Sequence, residues 1–174
     1  GKAVPGVQQK IASDGEILVR GDLVFPGYFK DEEATRQVFT SDGWFKTGDI
    51  GEIDSQGFLK ITDRKKDIIV TAGGKNIAPQ NIESILKTVP FISQVMVHGD
   101  KRKYLSALVT LNRDSIEGFA RSEGISFKNY PELIQNPKIF SLVKKAIDEK
   151  NKSLASFESV KKFAILENDF TQET

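Results

Sequence analysis

Cysteine is absent from the chain, and there is one histidine, one methionine and one tryptophan. The first absence excludes disulfides and thiolate metal sites, and a lone imidazole, His98, leaves no partner for a histidine-built metal centre or a catalytic triad. His98 ends the strand-like run "QVMVH" and is read as a strand or turn residue without a catalytic role. Charge of either sign is not in excess: 25 Lys and Arg stand against 24 Asp and Glu, for a net charge of +1. Such a surface has no broad field to hold a polyanion, so nucleic acid is not an expected partner. No apolar run is long enough to span a bilayer, and "GKAVPGVQQKI" lacks the apolar centre of a secretory leader, which makes the cytoplasm the expected setting. Chemistry on this chain therefore falls to carboxylates, Lys, Arg and backbone groups.

What is present suffices for a packed core, with 39% hydrophobic residues in 174. The first part reads as short strands and turns. "VQQKIA" and "GEILVRG" flank Ser13-Asp14-Gly15, and "GEID" and "GFLKIT" flank Ser55-Gln56-Gly57. A helix is expected at "KDEEATRQVF", where acids fill the first turn and Ala34, Val38 and Phe39 share a face. From Asp67 the pattern changes. The apolar "IIV" leads through Gly73-Gly74 to Pro79, a residue suited to the first turn of a helix carrying Ile82, Ile85 and Leu86. "SQVMVHG" and "YLSALVTLN" then read as antiparallel strands about the turn "DKRK", and "DSIEGFARSEG" as a helix ended by Gly124. Ile139, Phe140, Val143, Ala146, Ile147 and Leu154 form one apolar stripe of a core-facing helix. A last strand, "VKKFAIL", precedes the polar end "ENDFTQET". The fold class is α+β: a strand-rich part followed by a mixed one, with an antiparallel sheet flanked by helices.

Four places could carry function. Asp49 follows Thr47-Gly48 at a strand edge, where a carboxylate can accept bonds from two adjacent hydroxyls of a ribose, or can serve a turn. Arg64 lies fifteen positions later, across the hairpin at "DSQG", so the two strands can fold back and bring it near Asp49. Its donor fork suits a ribose or phosphate oxygen, or a weak exposed pair with Asp63 or Asp67. The charged run Asp63, Arg64, Lys65, Lys66, Asp67 is a solvated turn or an exposed linker between domains. Gly73-Gly74 presents bare backbone, which fits a narrow channel for an extended ligand or a simple turn.

Taken in order, "GEILVRG" (15–21), "GYFKDEEAT" (27–35), "WFKTGDIG" (44–51) and "GFLKITDRKKDIIVTAGGKNIAPQNIE" (57–83) resemble the C-terminal part of adenylate-forming enzymes of the acyl-CoA synthetase superfamily, most closely the bacterial long-chain fatty-acid CoA ligases. The resemblance runs through essentially the whole chain and is looser over residues 112–159. It implies that Asp49 and Arg64 contact the nucleotide ribose, and that Lys66 is the hinge residue. Many relatives have Asp at that hinge position and Gly where this chain has Asp63. Gly73, Gly74 and Lys75 match the loop lining the tunnel for the CoA thiol arm. The implied domains are 1–62, the last β-rich subdomain of a large N-terminal domain; 63–66, the hinge; and 67–174, a mobile lid.

The same resemblance implies ATP, Mg2+ and CoA as cofactors, a fatty acid as substrate, the remaining N-terminal domain as partner, and room for peripheral membrane contact. The phosphate loop, the acidic magnesium motif and the catalytic lysine of the family have no match here. The expectation is a portion of a larger ligase, inactive alone and without a catalytic residue of its own. A ligase for a carrier protein or an amino acid, sharing these motifs, and a non-catalytic docking module are the alternatives.

Overall fold

A computed structural model describes residues 1–170; the last four positions of the polar end, 171–174, lie outside the described residues. The chain divides into two compact units, Gly1–Ile68 and the residues from Ile69 onward.

The first unit is a four-stranded antiparallel meander. Its strands β1 (Val7–Ile11), β2 (Glu16–Gly21), β3 (Phe45–Ile53) and β4 (Leu59–Arg64) neighbour one another in chain order. Local turn chemistry sets the two hairpins. Between β1 and β2, Gly15 takes a left-handed φ of +88°, and the backbone N–H of Glu16 donates to the Asp14 carboxylate. Between β3 and β4, the Asp54 carboxylate accepts from the backbone N–H groups of Gln56 and Phe58, and Gly57 takes φ +82°. The short helix α1 (Glu32–Val38) is capped by Asp31, which accepts from the Ala34 N–H. No residue of α1 is buried, and Phe39 stands just past its end, in extended backbone. There Phe39 joins Phe25 and Phe45, with ring centroids 5.2–5.7 Å apart.

The second unit opens with a hairpin of two-residue strands, β5 (Ile69–Val70) with β6 (Asn76–Ile77), followed by α2 (Pro79–Leu86), which begins on proline as expected. A three-stranded sheet follows, in the order β7 (Ile92–His98), β8 (Leu105–Leu111), β9 (Val160–Leu166). Between the last two strands come α3 (Arg113–Ser122), α4 (Tyr130–Ile134) and α5 (Pro137–Asn151). Ile82, Leu86, Leu105, Val109, Ile116, Leu133, Ile139 and Val143 are sealed from solvent and make the core of this unit. Alternation along β8 sends Leu105, Ala107 and Val109 inward, and the 3.6-residue period of α5 sends Ile139, Val143 and Ile147 to meet the same core.

Two details correct the sequence reading. β7 and β8 are antiparallel, but β9 runs parallel to β8. Three helices carry the chain back across the sheet before β9 begins, and such a crossover delivers a strand in the same direction as the one it left. Phe140 belongs to the expected stripe yet stays 44% exposed, stacking on Phe163 of β9 with centroids 4.6 Å apart. It follows Ile139 by one residue and so points to the side of α5, while Leu154 lies beyond the helix end. Gly124, at φ +64°, follows α3 as expected.

Candidate functional site

Asp49 and Arg64 sit directly opposite each other in the β3–β4 ladder, and Arg64 Nη1 is 3.1 Å from Asp49 Oδ1. The hairpin between them thus brings together two residues separated by fifteen positions, and Arg64 pairs with Asp49. The contact lies off the line of a hydrogen bond. Among the described residues, Asp49 Oδ1 is the buried side-chain oxygen left without one. The guanidinium compensates this oxygen in charge but not in direction, so the carboxylate, whose side chain keeps 22% of its surface, has acceptor capacity left for a hydroxyl donor. Two vicinal hydroxyls of a ribose are donors of the right kind.

The backbone around Asp49 is set by its neighbours. The Thr47 hydroxyl donates to the Ile17 carbonyl at 2.8 Å and accepts from the Asp49 N–H at 3.1 Å. Gly48 takes φ +72°, and its N–H donates to Glu16 Oε1 at 2.9 Å. Glu16 is 4% exposed, one of few buried charged residues. Its second oxygen accepts from the Lys65 ammonium at 2.7 Å, and Lys65 also donates to Asp14 at 2.7 Å. Sequence reasoning placed Lys65 in a charged turn or linker, within the hinge 63–66, and gave Glu16 no role. The only local signal was an acid at the start of the apolar strand "EILV", where an unpaired charge would be costly.

This cluster has a pH signature. The bond from Lys65 holds the Asp14 carboxyl below its ordinary value of 3.8, with the Glu16 N–H adding to the effect. Lys65 is held above its ordinary 10.5, first by Asp14 and then by Glu16. A lowered carboxylate contributes stability above its unfolded pKa, lost as pH falls through its folded value. A raised ammonium contributes below its unfolded pKa, lost as pH rises through its folded value. The link is therefore at full strength between 3.8 and 10.5. Lys65→Met should destabilise by about 1 kcal/mol across that interval, a modest figure because the lysine is nearly half exposed and screened. The destabilisation should shrink toward pH 3, as the shift in thermal unfolding midpoint between wild type and variant at pH 7 and pH 3 will show.

Lys66 is exposed at the centre of a single 3-10 turn, Lys65–Asp67, that ends the first unit. Gly73, Gly74 and Lys75 lie in the exposed loop between β5 and β6. That loop is tied at its neck, where the Thr71 N–H donates to the Lys75 carbonyl and the Gly74 N–H to the Thr71 carbonyl. Gly74 takes φ +72°, whereas Gly73 does not use the left-handed region, and a Cβ added there would meet nothing closer than Thr71 Oγ1 at 4.0 Å. The fold itself does not require glycine at 73. Lys75 Nζ lies 5.7 Å from the ring centroid of Phe157. His98 is exposed at the end of β7. Among the described residues, no group of three or more His, Asp or Glu converges as a metal site requires, and no helix is long and apolar enough to cross a membrane.

Residues 66–173 match the family described as AMP-binding enzyme C-terminal domain, and the chain belongs to that family. It is 46% identical to the long-chain-fatty-acid–CoA ligase FadD15 of Mycobacterium tuberculosis, over 100% of this chain and 29% of that protein. It is 40% identical to the peroxisomal long chain acyl-CoA synthetase 7 of Arabidopsis thaliana, over 91% of this chain and 23% of that one. Among solved structures, O-succinylbenzoate coenzyme A synthetase (MenE) from Bacillus subtilis in complex with AMP superposes with a TM-score of 0.66 at 30% identity, covering 97% of this chain and 31% of MenE. The chain thus spans less than a third of the length of these relatives.

Proposed function

We propose that this chain is the ribose-site, hinge and lid portion of an AMP-forming long-chain fatty-acid CoA ligase. The observation that carries the reading is the buried, undonated oxygen of Asp49 beside Arg64, a pair suited to the two hydroxyls of a nucleotide ribose. Likeness to long-chain ligases from a bacterium and a plant supports the substrate class.

In the full-length protein, ATP supplies an activated α-phosphorus. The fatty carboxylate oxygen bonds to it as pyrophosphate leaves, giving an acyl-adenylate. The CoA thiolate then bonds to the acyl carbon, and AMP leaves with the bonding pair. Asp49 and Arg64 hold the ribose through both steps, so their contribution is orientation. Lys66 is the pivot, with residues 1–62 ending the large domain, 63–66 forming the hinge and 67–174 the lid. The swing lets one lid serve two reactions. Gly73 and Gly74 offer bare backbone to the pantetheine arm, in keeping with a glycine at 73 that the fold does not demand, and Lys75 flanks them. No magnesium ligand is assigned to these residues, and no catalytic residue is placed among them.

The test is the full-length protein with ATP, Mg2+, CoA and a long-chain fatty acid. The expected result is AMP and pyrophosphate release that depends on the fatty acid, with acyl-CoA as product. Release that depends instead on an amino acid or on a carrier protein would overturn the reading.

A further inference from the structure

Near Asp49 the strand ladder is irregular. Register shifts fall between Glu16 and Leu18 in the β2–β3 pairing, and between Ile50 and Gly51 in the β3–β4 pairing. On its β2 side, therefore, regular pairing does not fix this part of β3, while Asp49 and Ile50 stay paired with Arg64 and Asp63 of β4. Glu16 supplies what the ladder lacks. One of its oxygens takes the N–H of Gly48, the residue before Asp49, and the other takes the ammonium of Lys65, the residue after Arg64. In the antiparallel register Gly48 and Lys65 lie on the same side of the Asp49–Arg64 pair, so a single buried carboxylate ties the two chain segments together on that side, and Asp14 holds the same lysine from the exposed side. Lys65 is also the residue before Lys66. Burying a carboxylate is costly unless it is paired and hydrogen-bonded, and both oxygens of Glu16 are.

We propose that Glu16 and Lys65 are positioning residues. Glu16 sets the backbone that aims Asp49, and the doubly held Lys65 clamps the start of the hinge, so that motion of the lid begins at Lys66. The inference rests on the reading of Asp49 and Lys66 given above. Without the clamp the 3-10 turn can unwind, the pivot spreads over several residues, and the state reached only after the swing loses accuracy in placement.

The experiment uses the full-length enzyme with Lys65→Met, Lys65→Arg and Glu16→Gln, alongside Asp49→Ala. Adenylation is followed by fatty-acid-dependent pyrophosphate exchange, and the second step by acyl-CoA formation from preformed acyl-adenylate. For Lys65→Met, the ratio of acyl-CoA formation to adenylation should fall about tenfold, and Lys65→Arg, whose fork can reach both carboxylates, should recover most of it. Glu16→Gln should show the same fall in ratio and, in addition, a KM for ATP raised about fivefold. Equal losses in both steps with no rescue by arginine would reduce the cluster to a structural brace and overturn the proposal, as would unchanged kinetics in Lys65→Met. If Glu16→Gln does not fold, the two Lys65 variants decide. Asp49→Ala separates the two levels: if it impairs adenylation while Lys65→Met changes nothing, the clamp alone is wrong, and if Asp49→Ala is also silent, the ribose-site reading falls with it.

Discussion

Asp49→Ala in the full-length enzyme is expected to slow both adenylation and thioester formation about a hundredfold. Two hydrogen bonds from ribose hydroxyls to a carboxylate are worth roughly 1.5–3 kcal/mol each, and every 1.4 kcal/mol is a factor of ten. Removing the carboxylate also removes a buried oxygen without a hydrogen-bond donor, which spares the stability of the unliganded variant and does nothing to restore its rate. Arg64 is half exposed and, released from its partner, can return to water, so the variant should fold and its loss should be kinetic. Asp49→Asn, which retains one acceptor oxygen, should lie between wild type and alanine. The two half-reactions are measured separately, as pyrophosphate exchange and as acyl-CoA formation from preformed adenylate. Wild-type rates in both would show that the ribose is not held here.

The second large effect should come from Lys66→Pro and should be one-sided. A proline ring locks φ near −65° and removes the N–H, and a swing about this residue needs φ and ψ to change. Acyl-CoA formation should drop by about two orders of magnitude, as expected when reacting groups cannot reach their placement, while pyrophosphate exchange should remain within about threefold of wild type. Proline also disfavours the helical torsions of the preceding Lys65, which sits in the same 3-10 turn. Lys66→Ala is the control: it removes the ammonium and keeps the torsional freedom, and it should leave both steps close to wild type. A proline variant with normal acyl-CoA formation would place the pivot elsewhere.

Much of the fold could be read from pattern. Asp14-Gly15 and Asp54 with Gly57 mark the two hairpins because side-chain acceptors and left-handed glycines act within a few residues. Pro79 and Gly124 mark helix ends for the same local reason. The facing of Asp49 and Arg64 was also within reach, since two strands joined by a short turn have little choice of partner. The direction of β9 was not, because it depends on how three helices carry the chain across the sheet. Nor was the exposure of Phe140, since a hydrophobic stripe read from spacing does not say where the helix face stops meeting the core.

The sequence by itself determined most of the elements, β6 and α4 excepted, together with the turns and the motif order that assigns the family, because these rest on torsional preference and side-chain chemistry acting over a few residues. Only the tertiary structure decided that Glu16 is buried, that Lys65 bridges it to Asp14, and that one oxygen of Asp49 lacks a directional donor. Glu16 and Lys65 are 49 positions apart. A pairing at that distance depends on the register of three strands, β2 to β4, and on which groups solvent can no longer reach, quantities that exist only once the chain has folded.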